Sequence, residues 1–295
     1  MRAGFGQFNQ ATPEYLRFAQ QYGVTDILLN TPQLPTAGGQ WQLADLVKLR
    51  LSVEQHGMKL SALENVPSNF YDHIMLGGPK RDEQIENWCK SLTNMGKAGI
   101  PVLGYHFMVL YVWRTSSTTP GRGQARVTSF DYELVKDAPI TELGEISDEQ
   151  MWDNFTYFLK AVIPVAERAG VRMGLHPDDP PISPLAGVAR IFRSHSALRR
   201  LIETVPSEYN GLEFCQGTIS EMPENVIHAI RYFGSRGKIF YVHFRNIKGS
   251  LNNFVEVFPD EGDIDMLKAL RVYKEVGYEY MIMPVIADPI GEEER

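Results

Sequence analysis

The chain has 295 residues, of which 43% are hydrophobic, and a net charge of −7 from 29 basic and 36 acidic residues. This length suits a single barrel domain of about 250 residues, the charge argues against a nucleic-acid-binding surface, and no segment approaches the roughly 18 apolar residues of a membrane span. Two cysteines, Cys89 and Cys215, make no disulfide framework, so we expect a cytoplasmic protein.

Strand-like and helix-like segments alternate along the chain. In the first half, the predicted strands are residues 4–9, 25–30, 59–64 and 100–106, and the predicted helices are 13–22, 42–56 and 81–98. In the second half, the predicted strands are residues 171–176, 211–215, 238–243 and 280–284, and the predicted helices are 147–169, 185–205, 223–233 and 264–276. Eight strands and seven following helices predict one (β/α)8 barrel, or TIM barrel, over residues 1–295. Because the sequence stops at Arg295, we expect its carboxyl-terminal end to be incomplete.

Residues 109–147 interrupt this alternation after the fourth strand. The segment contains many turn-forming residues and shows no periodicity. A loop of this length between regular units is commonly a lid or a binding insertion. We therefore expect a lid-like insertion that carries Trp113, Arg114 and Arg122 over the barrel mouth.

Three consecutive predicted strands end in a possible metal ligand, namely His176, Cys215 and His243. Strands of a barrel end at one face, so these side chains are expected to converge there. Imidazole and thiolate ligands suit first-row divalent ions such as zinc, iron or manganese. A cysteine in an apolar strand is by itself more often a small buried hydrophobe, and the two histidines favour the ligand interpretation.

Further polar candidates follow two of these ligands. His176 precedes a turn with prolines on both sides of Asp178 and Asp179, which places one of these carboxylates over the barrel mouth. An ordinary turn with solvated aspartates is the alternative. Arg245 and Asn246 follow His243, and their guanidinium and amide could bind a carboxylate or vicinal hydroxyls. A surface turn is the alternative for this pair.

His106 ends the predicted fourth strand and is a candidate for substrate contact. A histidine hydrogen-bonded within the top layer of the barrel is about equally compatible with the sequence. Glycine-rich sequence at residues 121–123 lies in the insertion, without a strand before it and a helix after it. Nucleotide binding is therefore disfavoured.

The combination of these motifs resembles the mannonate dehydratase family. The matching segments are Leu63–Pro67, Gly78–Asn87, Tyr105–Met108, Trp113–Thr115, His176–Pro181, Cys215–Gly217, His243–Asn246 and Asp260–Met266. The resemblance implies a (β/α)8 barrel that dehydrates D-mannonate to 2-keto-3-deoxy-D-gluconate with Mn²⁺ or Fe²⁺. It also implies that His176, Cys215 and His243 are three of four metal ligands. As substrate-binding residues we expect Asp178, Arg245, Asn246, His106, Trp113 and Arg114.

The sequence departs from the family where the resemblance implies the fourth ligand, an aspartate in an Asp-His pair after strand eight. Here Val285 and Ile286 stand at the two positions of that pair, and neither side chain can bind a metal or transfer a proton. Asp288, a few residues on, is a candidate catalytic replacement. The terminus could be altered or truncated, the site could be shifted to Asp288, or the protein could keep the metal without the reaction.

Two other functions remain open beside the sugar-acid dehydratase. One is a metal-dependent sugar isomerase or epimerase on a similar barrel; such enzymes bind metal mainly through carboxylates, so Cys215 argues against it. The other is a catalytically silent relative that binds a sugar acid or a metal. In each case we expect a small sugar-acid or sugar ligand, no nucleic acid or membrane partner, and a homo-oligomer.

Overall fold

The computed structural model describes residues 1–285. Its strands fall into one closed barrel of eight and one separate sheet of four. In chain order they are β1 (Arg2–Phe8), β2 (Asp26–Asn30), β3 (Lys59–Glu64), β4 (Val102–Tyr105), β5 (Ser116–Pro120), β6 (Arg126–Asp131), β7 (Arg172–Leu175), β8 (Asn210–Cys215), β9 (Ile239–Phe244), β10 (Asn246–Ser250), β11 (Asn253–Val257) and β12 (Met281–Pro284).

The barrel is parallel throughout and follows the order β1-β12-β9-β8-β7-β4-β3-β2. It closes where β12 pairs with both β9 and β1. Strands β8 and β9 are buried along their whole length, which is expected for parallel strands covered on both faces. The predicted (β/α)8 barrel is confirmed, and the predicted bounds of strand β3 agree with those observed.

Helices cover the outside of the barrel. They are α1 (Pro13–Gln21), α2 (Leu43–Glu54), α3 (Asp72–Leu76), α4 (Arg81–Ala98), α5 (Asp148–Ala169), α6 (His195–Thr204), α7 (Gln216–Glu221), α8 (Val226–Gly234) and α9 (Met266–Glu275). The apolar spacing on α4 buries Trp88, which meets Phe158 of α5 edge-on with ring centroids 5.0 Å apart. Gly99 and Gly170 end these two helices in the left-handed conformation that glycine favours. No helix within residues 1–285 is long and apolar enough to cross a membrane.

The insertion contains two strands that its irregular sequence did not predict. Strands β5 and β6 join β10 and β11 in an antiparallel sheet of order β10-β11-β6-β5. Phe130 of β6 and Phe254 of β11 stack with ring centroids 5.7 Å apart and form a small separate core with Ile182 and Ile247. Because β10 begins directly after barrel strand β9, this sheet lies at the carboxyl end of the barrel.

The predicted helix over residues 185–205 is wrong in its first half. Helix α6 begins only at His195, where the hydroxyl of Ser194 caps its first turn. In the segment before it, the backbone N–H of Phe192 donates to Oδ2 of Asp178 at 2.6 Å. Tertiary hydrogen bonds of this kind replace the local hydrogen bonds that a helix would need.

Candidate active site

His176, Cys215 and His243 lie at the carboxyl ends of three neighbouring barrel strands. Cys215 and His243 are paired in the register of β8 and β9, and His176 directly follows β7. One potential ligand atom from each residue lies within 4.8 Å of the other two. The two imidazole rings have centroids 5.7 Å apart. The strand ends therefore bring these three candidate ligands into one cluster.

Neighbouring groups orient the two histidines. Nδ1 of His176 lies 2.6 Å from the carbonyl oxygen of Pro177 and donates to it, which leaves Nε2 as the ring nitrogen that could bind a metal once it is deprotonated. Nε2 of His243 lies 2.9 Å from Oε2 of Glu64. Histidines that bind metals usually donate their second ring N–H to a carbonyl or carboxylate in this way.

The surroundings of Cys215 stabilise a thiolate. Burial alone would raise the pKa of its thiol, but the charge of His176 and hydrogen bonds from both histidines hold this pKa well below its ordinary value. Burial opposes the charge on His176, yet the thiolate and Glu213 raise the pKa of His176 to about 10. The hydroxyl of Thr218 lies 3.1 Å from the sulfur, and Nη1 of Arg245 lies 3.9 Å from it. A bound cation would take the place of the protons through which His176 and His243 hydrogen-bond to Cys215.

Two buried carboxylates beside His243 were not identified from the sequence. Glu64 ends β3, and Glu213 precedes Cys215 by two residues on β8 and so faces the same side of the strand. His243 lowers the pKa of Glu64 to about 2 against the opposing effect of burial, and burial together with Glu64 raises the pKa of Glu213 to about 8. The sequence signal that could have identified Glu213 is the presence of a charged residue inside an apolar strand.

The donor set fits a first-row divalent metal. Two imidazoles, one thiolate and nearby carboxylates match the ligand preferences of manganese, iron and zinc. In His176 only Nδ1 is bound to a backbone carbonyl, so Nε2 could serve as the ligand atom, and the lowered pKa of Cys215 favours its deprotonated form. The residues that could hold such an ion are His176, Cys215 and His243, with Glu64 and Glu213 adjacent.

A buried network of ion pairs connects this cluster to the insertion. Arg114 contacts Asp179 and Glu256, and Arg245 contacts Asp179, Glu221 and Glu256, with nitrogen–oxygen distances of 2.5–3.0 Å. Burial disfavours ionisation of Asp179, but the two guanidinium groups hold its pKa far below the ordinary value. Asp179, one of the two aspartates considered for a place over the barrel mouth, is therefore a buried ion-pair partner and not a solvated turn residue.

The other predicted substrate-binding residues all lie near the carboxyl end of the barrel. Asn246 uses both ends of its amide on backbone groups, including the carbonyls of Pro259 and Ile264. Asp178 is buried and accepts the amide hydrogen of Phe192 described above. Burial raises the pKa of Asp178 to about 6. These polar atoms hold neighbouring loops together.

His106 and Trp113 also contact protein groups. Nδ1 of His106 accepts a hydrogen bond from the amide of Met108, and Nε2 lies 2.8 Å from the hydroxyl of Tyr71. Trp113 packs on the insertion's small core and donates its backbone N–H to the carbonyl of Asp179. Trp113 therefore contacts the turn that carries Asp179, whereas the ring nitrogens of His106 bind Tyr71 and Met108.

The carboxyl terminus is described only as far as Val285. This side chain packs against the inner barrel cluster that includes Tyr241 and Met283. Ile286 and the candidate catalytic residue Asp288 lie outside the described residues.

Comparisons with known proteins identify the family. The model of the D-mannonate dehydratase (UxuA) family matches residues 1–145 and 140–294. A mannonate dehydratase of Thermotoga petrophila is 32% identical over 298 residues, covering 89% of this chain and 81% of that protein. The crystal structure of a mannonate dehydratase from Streptococcus suis serotype 2 superposes with a TM-score of 0.84 at 30% identity, covering 96% of this chain and 82% of the other.

A likeness to sugar epimerases is limited to the fold. D-psicose 3-epimerase of Clostridium cellulolyticum H10 has a TM-score of 0.65 at 15% identity, covering 96% of this chain and 84% of that chain. Such low identity carries no argument about activity. On the family match and the mannonate dehydratase relatives, the chain belongs to the D-mannonate dehydratase family.

Proposed function

We propose that this chain dehydrates D-mannonate to 2-keto-3-deoxy-D-gluconate and water, using Mn²⁺ or Fe²⁺ held by His176, Cys215 and His243. The observation that carries the proposal is the convergence of two imidazoles and one thiolate at the carboxyl face of a barrel of this family. Active sites of (β/α)8 enzymes lie at that face.

The reaction requires loss of a weakly acidic proton beside the carboxylate and departure of a hydroxyl group. A divalent cation, when bound, supplies Lewis acidity that stabilises the charge developing during this elimination. The carbonyl of Pro177 and the carboxylate of Glu64 fix the orientation of the two histidines. Proton transfer to the leaving hydroxyl contributes roughly 10²–10⁴-fold to such rates. Asp288 remains our candidate for that transfer.

The proposed substrate pocket is lined by residues held in place by protein partners. Arg114 and Arg245 are buried in ion pairs, and the amide of Asn246 is occupied by backbone groups. We propose that these residues, together with Asp178, His106 and Trp113, shape the pocket and position its loops. Their direct contact with the sugar acid, and a lid role for residues 109–147, stay predictions.

An isomerase or epimerase is the second candidate function. The observation in its favour is the second group of possible ligands, Glu64, Glu213 and His243, in which two of three members are carboxylates. Cys215 in the adjacent group favours the dehydratase. A catalytically silent relative is the third candidate, supported by Val285 at the position where an acid would be expected.

The test combines product analysis with two cysteine variants. Purified protein supplied with Mn²⁺ or Fe²⁺ and D-mannonate should form the 2-keto-3-deoxy product, and Cys215→Ser should lose most of this activity. Cys89→Ser, on α4 outside the cluster, is the matched control and should keep it. An isomerised product would support the second candidate, and bound metal without any product would support the third. A cytoplasmic location and a homo-oligomer stay predictions.

A further inference from the structure

The two carboxylates beside His243 differ in how they are bound by the protein. Both oxygens of Glu64 lie 3.0 Å from the amide nitrogen of Gln7, and its Oε2 also accepts the hydroxyl hydrogen of Tyr241 and contacts Nε2 of His243. The amide nitrogen of Asn30 donates to Oε1 of Glu64 at 3.2 Å. The hydrogen-bonding capacity of Glu64 is therefore used by the protein.

Glu213 has no such support. Its side chain is fully buried, and neither carboxylate oxygen accepts a hydrogen bond from any of residues 1–285. Its nearest charged contact is Nε2 of His243, 3.2 Å from Oε1, and this nitrogen lies closer to Glu64. Tyr241 has a single hydroxyl proton and donates it to Glu64. A buried carboxylate without hydrogen bonds is costly unless another group binds it.

We propose that Glu213 is a ligand of the metal and completes the donor set of His176, Cys215 and His243. This inference rests on the proposed function, because it assumes a cation at those three residues. Glu213 and His243 belong to one group of possible ligand atoms within 4.8 Å, and His243 is shared with the cluster that contains Cys215. Val285, where the resemblance implied an aspartate ligand, offers no donor atom and packs on apolar side chains.

The neighbouring strand leaves room for this carboxylate. A Cβ atom at Gly104 of β4 would lie 2.7 Å from Oε2 of Glu213 and 1.8 Å from the hydroxyl oxygen of Tyr241. Glycine at this position therefore keeps the space that both polar groups occupy inside the barrel. The position of Glu213, two residues before Cys215 on the same face of β8, directs both side chains toward the barrel axis.

The test uses Co²⁺ as the probe, because a thiolate ligand gives a charge-transfer band that reports Cys215 separately from total binding. Wild-type protein should bind Co²⁺ and show this band. Glu213→Gln should keep the band, change the visible ligand-field spectrum and weaken Co²⁺ binding at least about tenfold, since even residues that only support metal ligands contribute 10–100-fold. Asp26→Asn removes a buried carboxylate at the amino end of the barrel and should leave the Co²⁺ affinity unchanged.

A second measurement separates a ligand from a structural carboxylate. In the presence of a chelator, Glu213→Gln should unfold at the same temperature as the wild type or higher, because it replaces a buried carboxyl group without hydrogen bonds by a neutral amide of nearly the same size. Unchanged Co²⁺ affinity and spectrum in Glu213→Gln would overturn the inference, as would a variant that fails to fold. The proposed function fails separately if Cys215→Ser retains the charge-transfer band or if the wild type binds no Co²⁺.

Discussion

Arg114 forms a two-pronged contact with Asp179, with Nη1 2.5 Å from Oδ1 and Nη2 2.7 Å from Oδ2. Arg114 belongs to the insertion, and Asp179 belongs to the turn that follows barrel strand β7. Both side chains are only 4% exposed. The insertion is thus fixed to the barrel by buried charges, and the same aspartate contacts Arg245 beside Cys215.

Removing one partner of this contact should destabilise the protein. Arg114→Met leaves Asp179 and Glu256 buried with less compensating charge, and we expect a loss of about 3–5 kcal/mol in the free energy of unfolding. Urea denaturation followed by circular dichroism measures it. Arg122→Met is the matched control, since the Arg122–Asp260 pair lies in solvent and should contribute little. Equal losses in the two variants would contradict a special role for the buried network.

The space beside Gly104 makes a second prediction. Gly104→Ala would force its new methyl group into the hydroxyl of Tyr241, and overpacking of this kind costs about 1–3 kcal/mol. Tyr241→Phe removes the clashing oxygen, so the double variant should recover part of the loss. A double-mutant cycle of unfolding free energies measures this coupling. Strictly additive effects would contradict the proposed contact.

The acid stability of the barrel should depend on Asp26. Burial raises its pKa, but hydrogen bonds from Arg2, Ser61 and Thr25 outweigh burial, and the pKa in the folded state is lowered. The ionised Asp26 therefore stabilises the folded state fully above the unfolded-state pKa of about 3.9. This stabilisation is lost as the pH falls toward the lower pKa of the folded state.

Asp26→Asn tests this pH dependence. The variant should be less stable than the wild type at pH 7, and the difference between their urea midpoints should shrink as the pH is lowered below about 4. Asp153→Asn, on the exposed side of α5, is the control and should follow the wild type at each pH. A difference for Asp26→Asn that stays constant from pH 7 to pH 3 would be evidence against an ionised, stabilising Asp26.

The residues after β12 supply a fourth prediction. Replacing Val285→Asp and Ile286→His together restores the acid and the imidazole that the family resemblance implies. If the altered terminus limits the reaction, the rate of D-mannonate dehydration should rise by roughly 10²-fold or more, the contribution expected of a positioned proton donor. The paired variant Val285→Asn with Ile286→Leu is the control. If the double variant with aspartate and histidine dehydrates D-mannonate no faster than the wild type, residues 285 and 286 do not limit the reaction.

Local patterns predicted the regular parts of the fold accurately. The bounds of α4 agree with the observed helix because its apolar spacing and Gly99 are local signals. The three candidate ligands could be found because each ends a strand, and parallel strands share one end. The contacts of polar residues in the loops were harder to predict. The predicted substrate contact of Asp178 and Asn246 stays a prediction, and their hydrogen bonds to backbone groups of neighbouring loops had no local signal because they depend on tertiary contacts.

Two misses have the same physical origin. Strands β5 and β6 show no alternation in the sequence, and the strands that complete their sheet, β10 and β11, lie more than a hundred residues away. Glu213 lies in an apolar run, and its importance appears only when Glu64 and His243 are seen beside it. Pairings between distant segments carry no signal in either segment alone.

The most direct test of the account is the position of bound metal. Crystals grown with Mn²⁺ should give an anomalous difference peak between the ring nitrogens of His176 and His243 and the sulfur of Cys215, at distances of about 2.0–2.4 Å. The peak should disappear in Cys215→Ser and persist in Cys89→Ser. A peak at another location, or none at these three residues in fully loaded protein, would contradict the proposed metal centre.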